Sequence, residues 1–203
     1  MVQLVLATSN KGKIVEIQEL LKNDPALCDV VACAYSDLCA PFEIEETGKT
    51  FQENAVIKAH AVANVLGTEV IVLADDSGIR VPLLGGEPGI YSARYSGADA
   101  TDRQNCEKLM TNLQSQGLVS APAYYTACMA IAYQGHTWTV HGWMYGTVCD
   151  HMRGDNGFGY DPLFLPEGFD QTLGELDDGI KRDLSHRTKA LLLAMKIIHS
   201  IKV

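Results

Sequence analysis

Val2-Gln3-Leu4-Val5-Leu6-Ala7 is followed by Thr8-Ser9-Asn10-Lys11-Gly12-Lys13, and then by Ile14, Ile17, Leu20 and Leu21. The first run is short and apolar and ends at a polar segment, which reads as a buried strand. The second is a polar loop with a glycine. In the third, apolar residues recur at three- and four-residue intervals, the spacing of a helix with one buried face. Strand, loop, helix is the opening of an α/β unit.

Working outward, a second strand is expected around Val30 to Tyr35. Glu45-Glu46-Thr47-Gly48 reads as a polar loop. Thr50 and Glu53 form a capping box for a helix reaching Leu66, with Gly67 just past its end. Val70 to Ala74 reads as a strand that stops at Asp75-Asp76-Ser77-Gly78. A glycine-rich loop, Leu84-Gly85-Gly86-Glu87-Pro88-Gly89, follows, and Thr101 caps a helix reaching Gln114. Tyr124 to Tyr133 and Thr137 to Val148 read as two strands joined around Gln134-Gly135-His136. Residues 154–161 read as a loop. Ser185 opens a last helix whose apolar stripe is Leu191, Ala194, Met195, Ile198 and Ile201.

Bulk properties exclude several classes. The 203 residues suit a single domain, and 47% hydrophobic with 20% charged residues is a globular balance. A formal net charge of −9 repels a polyphosphate backbone, so nucleic acid is not an expected partner. A small anionic substrate remains open if local cations or a metal override that field. The cysteines Cys28, Cys33, Cys39, Cys106, Cys128 and Cys149 form no C-x-x-C pair and read as free thiols. The chain opens on a strand without a charged leader, and no apolar stretch nears membrane-spanning length, so a cytoplasmic protein is expected.

Five places carry chemistry. Lys11 and Lys13 beside backbone N–H groups at a helix start make an anion site, or a solvated capping loop. A Walker A loop is excluded, since Ala7 and Ile14 stand where Gly and Ser or Thr are needed. Asp75 and Asp76 at the tip of a strand suit a hard cation bound together with substrate phosphate, or form a plain Asp turn. Asn54 and Lys58 share a helix face, where Lys58 could equally be an exposed charge. His186, Arg187 and Lys189 crowd the first turn of the last helix, where cations oppose the helix dipole by up to about 1 kcal/mol each. Broken local rules concentrate at functional sites. Gly157-Phe158-Gly159-Tyr160-Asp161-Pro162 places two aromatics on a flexible loop able to stack a base, or to serve as a turn with an apolar anchor.

Together, in order, these stretches resemble the inosine triphosphate pyrophosphatase family, also called dITP/XTP pyrophosphatases. The resemblance rests on Leu6 to Lys13, Glu46-Thr47-Gly48 with Phe51 to Ala59, Ala74 to Gly78, Leu84 to Tyr95, Gly157 to Pro162, and Lys181 with Ser185-His186-Arg187. It implies an α/β fold with an elongated mixed sheet flanked by helices, two lobes with a central active-site cleft, one domain over residues 1–203, and a homodimer. It further implies Mg²⁺-dependent hydrolysis of ITP, dITP and XTP to the monophosphate and pyrophosphate. In that reading Thr8, Ser9, Asn10, Lys11, Gly12 and Lys13 hold the triphosphate, and Asp76 both ligates metal and activates water. Asp75 and Glu45 (or Glu46) complete the metal site, and Lys58 contacts the phosphates or the metal shell. Ser77 touches the nucleotide. Phe158, Gly159 and Tyr160 line the base pocket, and Asp161, Lys181, His186 and Arg187 read the base. Ser9 replaces a glycine common in the family, and residues 176–180 depart from its Glu-rich version. The rivals are a pyrophosphatase for canonical or pyrimidine nucleotides and a nucleotide sensor without hydrolysis.

Overall fold

Asn10 sets the start of the first helix. Its Oδ1 accepts the Lys13 N–H at 3.2 Å and its carbonyl accepts the Ile14 N–H at 3.1 Å, the pattern of an N-cap. Helix α1 therefore spans Lys11–Asn23, and Lys11, Gly12 and Lys13 form its first turn rather than a loop before it. The apolar period reports only residues that face the core, so it begins late. The structure is a computed structural model that describes residues 2–8, 10–23 and 30–201. Ser9 and Cys28 lie outside the described residues.

The strands are β1 (Val2–Leu6), β2 (Val30–Ala34), β3 (Ile71–Arg80), β4 (Ser120–Tyr133), β5 (His136–Cys149) and β6 (Phe164–Pro166). They form one sheet in the order β2-β1-β3-β4-β5-β6. β1 pairs in parallel with β2 and with β3, whereas β5 and β6 are antiparallel. The sheet is therefore mixed, as the family resemblance implies. Gln134 and Gly135, at φ 47° and 76°, make the two-residue connection between β4 and β5.

The remaining helices are α2 (Phe51–Leu66), α3 (Asp102–Ser115), α4 (Asp178–Leu184) and α5 (His186–Ser200). Thr50 Oγ1 caps α2 by accepting the Glu53 N–H at 3.1 Å. The expected reciprocal bond is displaced: the Glu53 carboxylate accepts from the Lys49 N–H at 2.5 Å. Thr101 and Gln104 form a complete capping box on α3. Neither α4 nor β6 is legible in the sequence, because both are too short to show a period.

One expectation fails in β3. The strand does not stop at Ala74 but runs through Asp75-Asp76-Ser77-Gly78 to Arg80. Ile79 and Val81 beyond it are both fully buried, and the Ile79 N–H donates to Ser92 Oγ at 3.0 Å. Gly78 is therefore not a turn residue but a point of close approach. A Cβ there would lie 2.3 Å from Ser92 Oγ and 2.6 Å from the Gly89 carbonyl oxygen.

The chain divides into two compact units. The first comprises Met1–Asp76, Ala127–Gly142 and Thr188–Val203. Its core joins Leu4 and Leu6 of β1, Ile17 and Leu21 of α1, Leu73 of β3, and Leu191 and Met195 of α5. The last helix thus buries the stripe its period indicates. The second unit comprises Ser77–Thr126 and Trp143–Arg187, with a core of Ile79, Leu109, Leu113, Tyr125, Val148 and Phe164. Burying each such side chain contributes about 1.5–3 kcal/mol.

Candidate active site

In the first unit β3 presents its acidic pair in the alternation a strand requires, with successive side chains on opposite faces. Asp75 meets Lys13, Oδ2 to Nζ 2.7 Å, and Asp76 meets Lys58, Oδ1 to Nζ 2.8 Å. Lys58 also faces Glu46, at 3.5 Å from Oε1. Lys58 is not the exposed charge its helix would allow: its side chain is 10% exposed, as is that of Asp76. Asn54 of α2, fully buried, accepts the Gly48 N–H at 2.8 Å and so fixes the end of the loop that carries Glu46.

Burial pulls the Lys58 ammonium toward neutrality, but Asp76, Glu46 and Asp75 outweigh it and hold its pKa above the ordinary lysine value. Burial raises the Asp76 carboxyl above the usual aspartate range, with Lys58 and Lys13 opposing the rise and Glu46 adding to it. An aspartate of raised pKa beside a fixed cation is an environment suited to a general base.

Asp76 Oδ2 is buried and has no hydrogen-bond partner among the described residues. A buried carboxylate oxygen without a donor is costly unless something charged completes it. Hard oxygen donors of this kind fit Mg²⁺, which takes one or two carboxylates and fills the rest of its shell with water and substrate phosphate. Glu45 is exposed, and Glu46 is the acid that pairs with Lys58. Among the described residues no group of three or more His, Cys, Asp or Glu could hold a metal by itself.

The second unit holds the other candidates. Arg187 Nη2 donates to Ser77 Oγ at 3.1 Å, and the guanidinium lies 5.8 Å from the centroid of the Phe158 ring. Lys181 Nζ lies 3.0 Å from Asp161 Oδ2, the atom that also accepts the Phe158 N–H at 3.3 Å. Burial raises the Asp161 carboxyl, and Lys181, the Phe158 N–H and Arg187 oppose it. His186 stacks on Tyr125 at 4.8 Å and 16°. The two aromatics of the loop differ in role. Phe158 is 56% exposed, whereas Tyr160 is 3% exposed and donates its hydroxyl to the Ser92 carbonyl at 2.8 Å. Tyr160 anchors the loop and Phe158 is its presented face.

At the first turn of α1, Asn10 serves as cap and Thr8 Oγ1 accepts the Asn10 N–H at 3.2 Å. Gly12 and Lys11 are exposed. Sequence reasoning gave no role to Ser92, although it lies in the stretch Gly89-Ile90-Tyr91-Ser92. Its hydroxyl braces Ile79 and donates to the Gly89 carbonyl at 2.6 Å, while its own carbonyl holds Tyr160. No composition signal marks such a residue.

Paired acids and lysines on β3, α1 and α2 of a mixed-sheet α/β protein suit the binding of a phosphorylated small molecule. The sequence profile of the Ham1 family matches residues 4–197, and the chain belongs to that family. It is 50% identical over 203 residues to the dITP/XTP pyrophosphatase of Aliarcobacter butzleri (strain RM4018), covering 98% of this chain and 99% of that one. It is 51% identical over 199 residues to the protein of that name from Nautilia profundicola, covering 98% of each. Among solved structures, the Staphylococcus aureus Ham1 protein matches with a TM-score of 0.85 at 36% identity, over 98% of both chains.

Proposed function

We propose that the chain hydrolyses non-canonical purine nucleoside triphosphates, ITP, dITP and XTP, to the monophosphate and pyrophosphate. The observation that carries this reading is the buried Lys58–Asp76 pair with Asp76 Oδ2 left unsatisfied. Relatives about 50% identical over the full chain carry the name dITP/XTP pyrophosphatase, and this supports the substrate class.

In this reading Asp76 orients the attacking water and accepts its proton. Lys58 keeps Asp76 ionised and, with Lys13, offsets the charge that builds on the phosphate oxygens. Thr8, Asn10, Lys11 and Gly12 supply donors at the start of α1. Asp76, through its unpartnered Oδ2, would ligate Mg²⁺ with water and substrate phosphate filling the shell, Asp75 or Glu46 joining only on leaving its lysine, and the ion would supply Lewis-acid polarisation of the phosphate. Arg187 and His186 offer donors toward the 6-oxo group of hypoxanthine or xanthine. The 6-amino group of adenine would set donor against donor. Phe158 supplies a ring for stacking, and Lys181 keeps Asp161 charged as an acceptor.

The same reading carries a cytoplasmic homodimer acting on a free nucleotide. Among the described residues no helix is long and apolar enough to cross a membrane. The test is product analysis after incubation with ITP and Mg²⁺. IMP with pyrophosphate is the expected pair. IDP with phosphate would refute the cleavage position, and equal turnover of ATP would refute the base class.

A further inference from the structure

We infer that Asp102 and Cys106 of α3 are positioning residues for the aromatic loop, holding Gly159 from both sides so that Phe158 is presented and Tyr160 is buried. The inference deepens the functional reading above, on which its kinetic consequences rest.

Gly159 has φ +61°, and a Cβ there would meet nothing within 4 Å. Glycine visits left- and right-handed conformations about equally, so neither the residue nor crowding around it selects this one. Beside the turn bond from the Asp161 N–H to the Phe158 carbonyl at 3.3 Å, two contacts from α3 do. The Gly159 N–H donates to Asp102 Oδ2 at 2.7 Å, and the Gly159 carbonyl accepts from Cys106 Sγ at 3.2 Å. Asp102 and Cys106 are four residues apart on α3 and so share a face. Together they fix the peptide groups before and after one α-carbon. Those peptides carry Phe158 on one side and Tyr160 on the other.

The chemistry of each partner suits its task. The Asp102 carboxylate makes a short, charge-assisted bond to a backbone donor. Burial pushes the Cys106 thiol up to about 12, with Asp102, Asp161 and Glu107 adding to the rise, so it is the S–H form that faces the carbonyl. A thiol used in this way is a hydrogen-bond donor and not a nucleophile. Asp102 is exposed, so its replacement removes no core packing.

Two measurements test this. The first is amide exchange at Gly159, independent of turnover. Asp102→Ala should speed exchange by about tenfold or more, and Asp102→Asn, which keeps an acceptor oxygen, should restore most of the protection. The second is steady-state kinetics with ITP. Asp102→Ala should raise KM about tenfold while kcat stays within about twofold, and Cys106→Ala should raise KM less. The double variant should fall short of the product of the single effects, because both act on one residue. Gly159 exchange unchanged in Asp102→Ala overturns the inference. So does a KM within twofold of wild type, or a loss confined to kcat. A wild-type chain that protects the Gly159 amide yet does not cleave ITP overturns the functional reading and leaves the positioning role standing.

Discussion

Lys58 Nζ lies 2.8 Å from Asp76 Oδ1, from the middle of α2 to the middle of β3, and both side chains are about one-tenth exposed. Breaking a buried pair by removing one member typically costs about 3–5 kcal/mol, because the other charge is left uncompensated. The pair is therefore a structural as well as a chemical unit, and the stability of its variants is measured beside their turnover.

Asp76→Asn keeps the shape and removes the carboxylate that the proposed mechanism uses as base. Turnover of ITP should fall by about 10²–10⁴-fold, the usual contribution of a general base. Nucleotide binding, followed by calorimetry, should persist. Near-normal turnover would remove Asp76 from the chemistry.

Lys58→Met moves the pH profile. In the proposed mechanism activity requires ionised Asp76 and is lost as pH falls through its folded pKa. That pKa is raised by burial and held down by Lys58. Without the ammonium it rises further, so the acid limb of kcat/KM should move to higher pH. An unmoved limb would mean that another group titrates there.

Arg187→Ala removes the donor that faces Ser77 and Phe158. The ITP over ATP ratio of kcat/KM should fall by about 10–100-fold, as a lost specific hydrogen bond predicts. A constant ratio would place base reading elsewhere.

Gly78→Ala drives a methyl into Ser92 Oγ and the Gly89 carbonyl. Overpacking of this kind costs about 1–3 kcal/mol, which lowers Tm by several degrees in a chain of this size. Ser92→Ala relieves only part of the clash, since the Gly89 oxygen is backbone. A Tm within a degree of wild type would show that the strand has room.

Glu175 Oε2 accepts from Arg153 Nη2 at 2.7 Å and from the Thr172 N–H at 2.8 Å. The Arg153 hydrogen bond is the main cause that takes its pKa from 4.5 down to about 2. A depressed carboxylate adds stability above its unfolded pKa and loses it as pH falls through the folded value. Wild type should therefore lose stability between about 4.5 and 2 through this group, and Glu175→Gln should flatten that part of the Tm profile. Parallel profiles for the two proteins would contradict it.

The sequence made the alternation of elements readable because α1 and α5 carry a clean period, β1 is a short apolar run, and α2 is bracketed by Thr50 and Gly67. It misplaced the end of β3 because Asp75-Asp76-Ser77-Gly78 has turn chemistry locally, whereas pairing within the sheet and the packing of Ile79 and Ser92 keep it extended. The candidate site was legible as residue types in order. It was not legible as pairings. Which lysine meets which aspartate, that Glu46 is the acid facing Lys58, and that Tyr160 anchors while Phe158 presents are settled by long-range contacts, which leave no local trace.

The Lys13–Asp75 contact has a thermodynamic consequence. At rest this lysine is already engaged, so an incoming phosphate competes with an internal carboxylate for it. In the proposed mechanism a divalent cation that takes over Asp75 would release Lys13 to the nucleotide. Metal and nucleotide should therefore strengthen each other's affinity by one common factor, as reciprocity between coupled ligands demands.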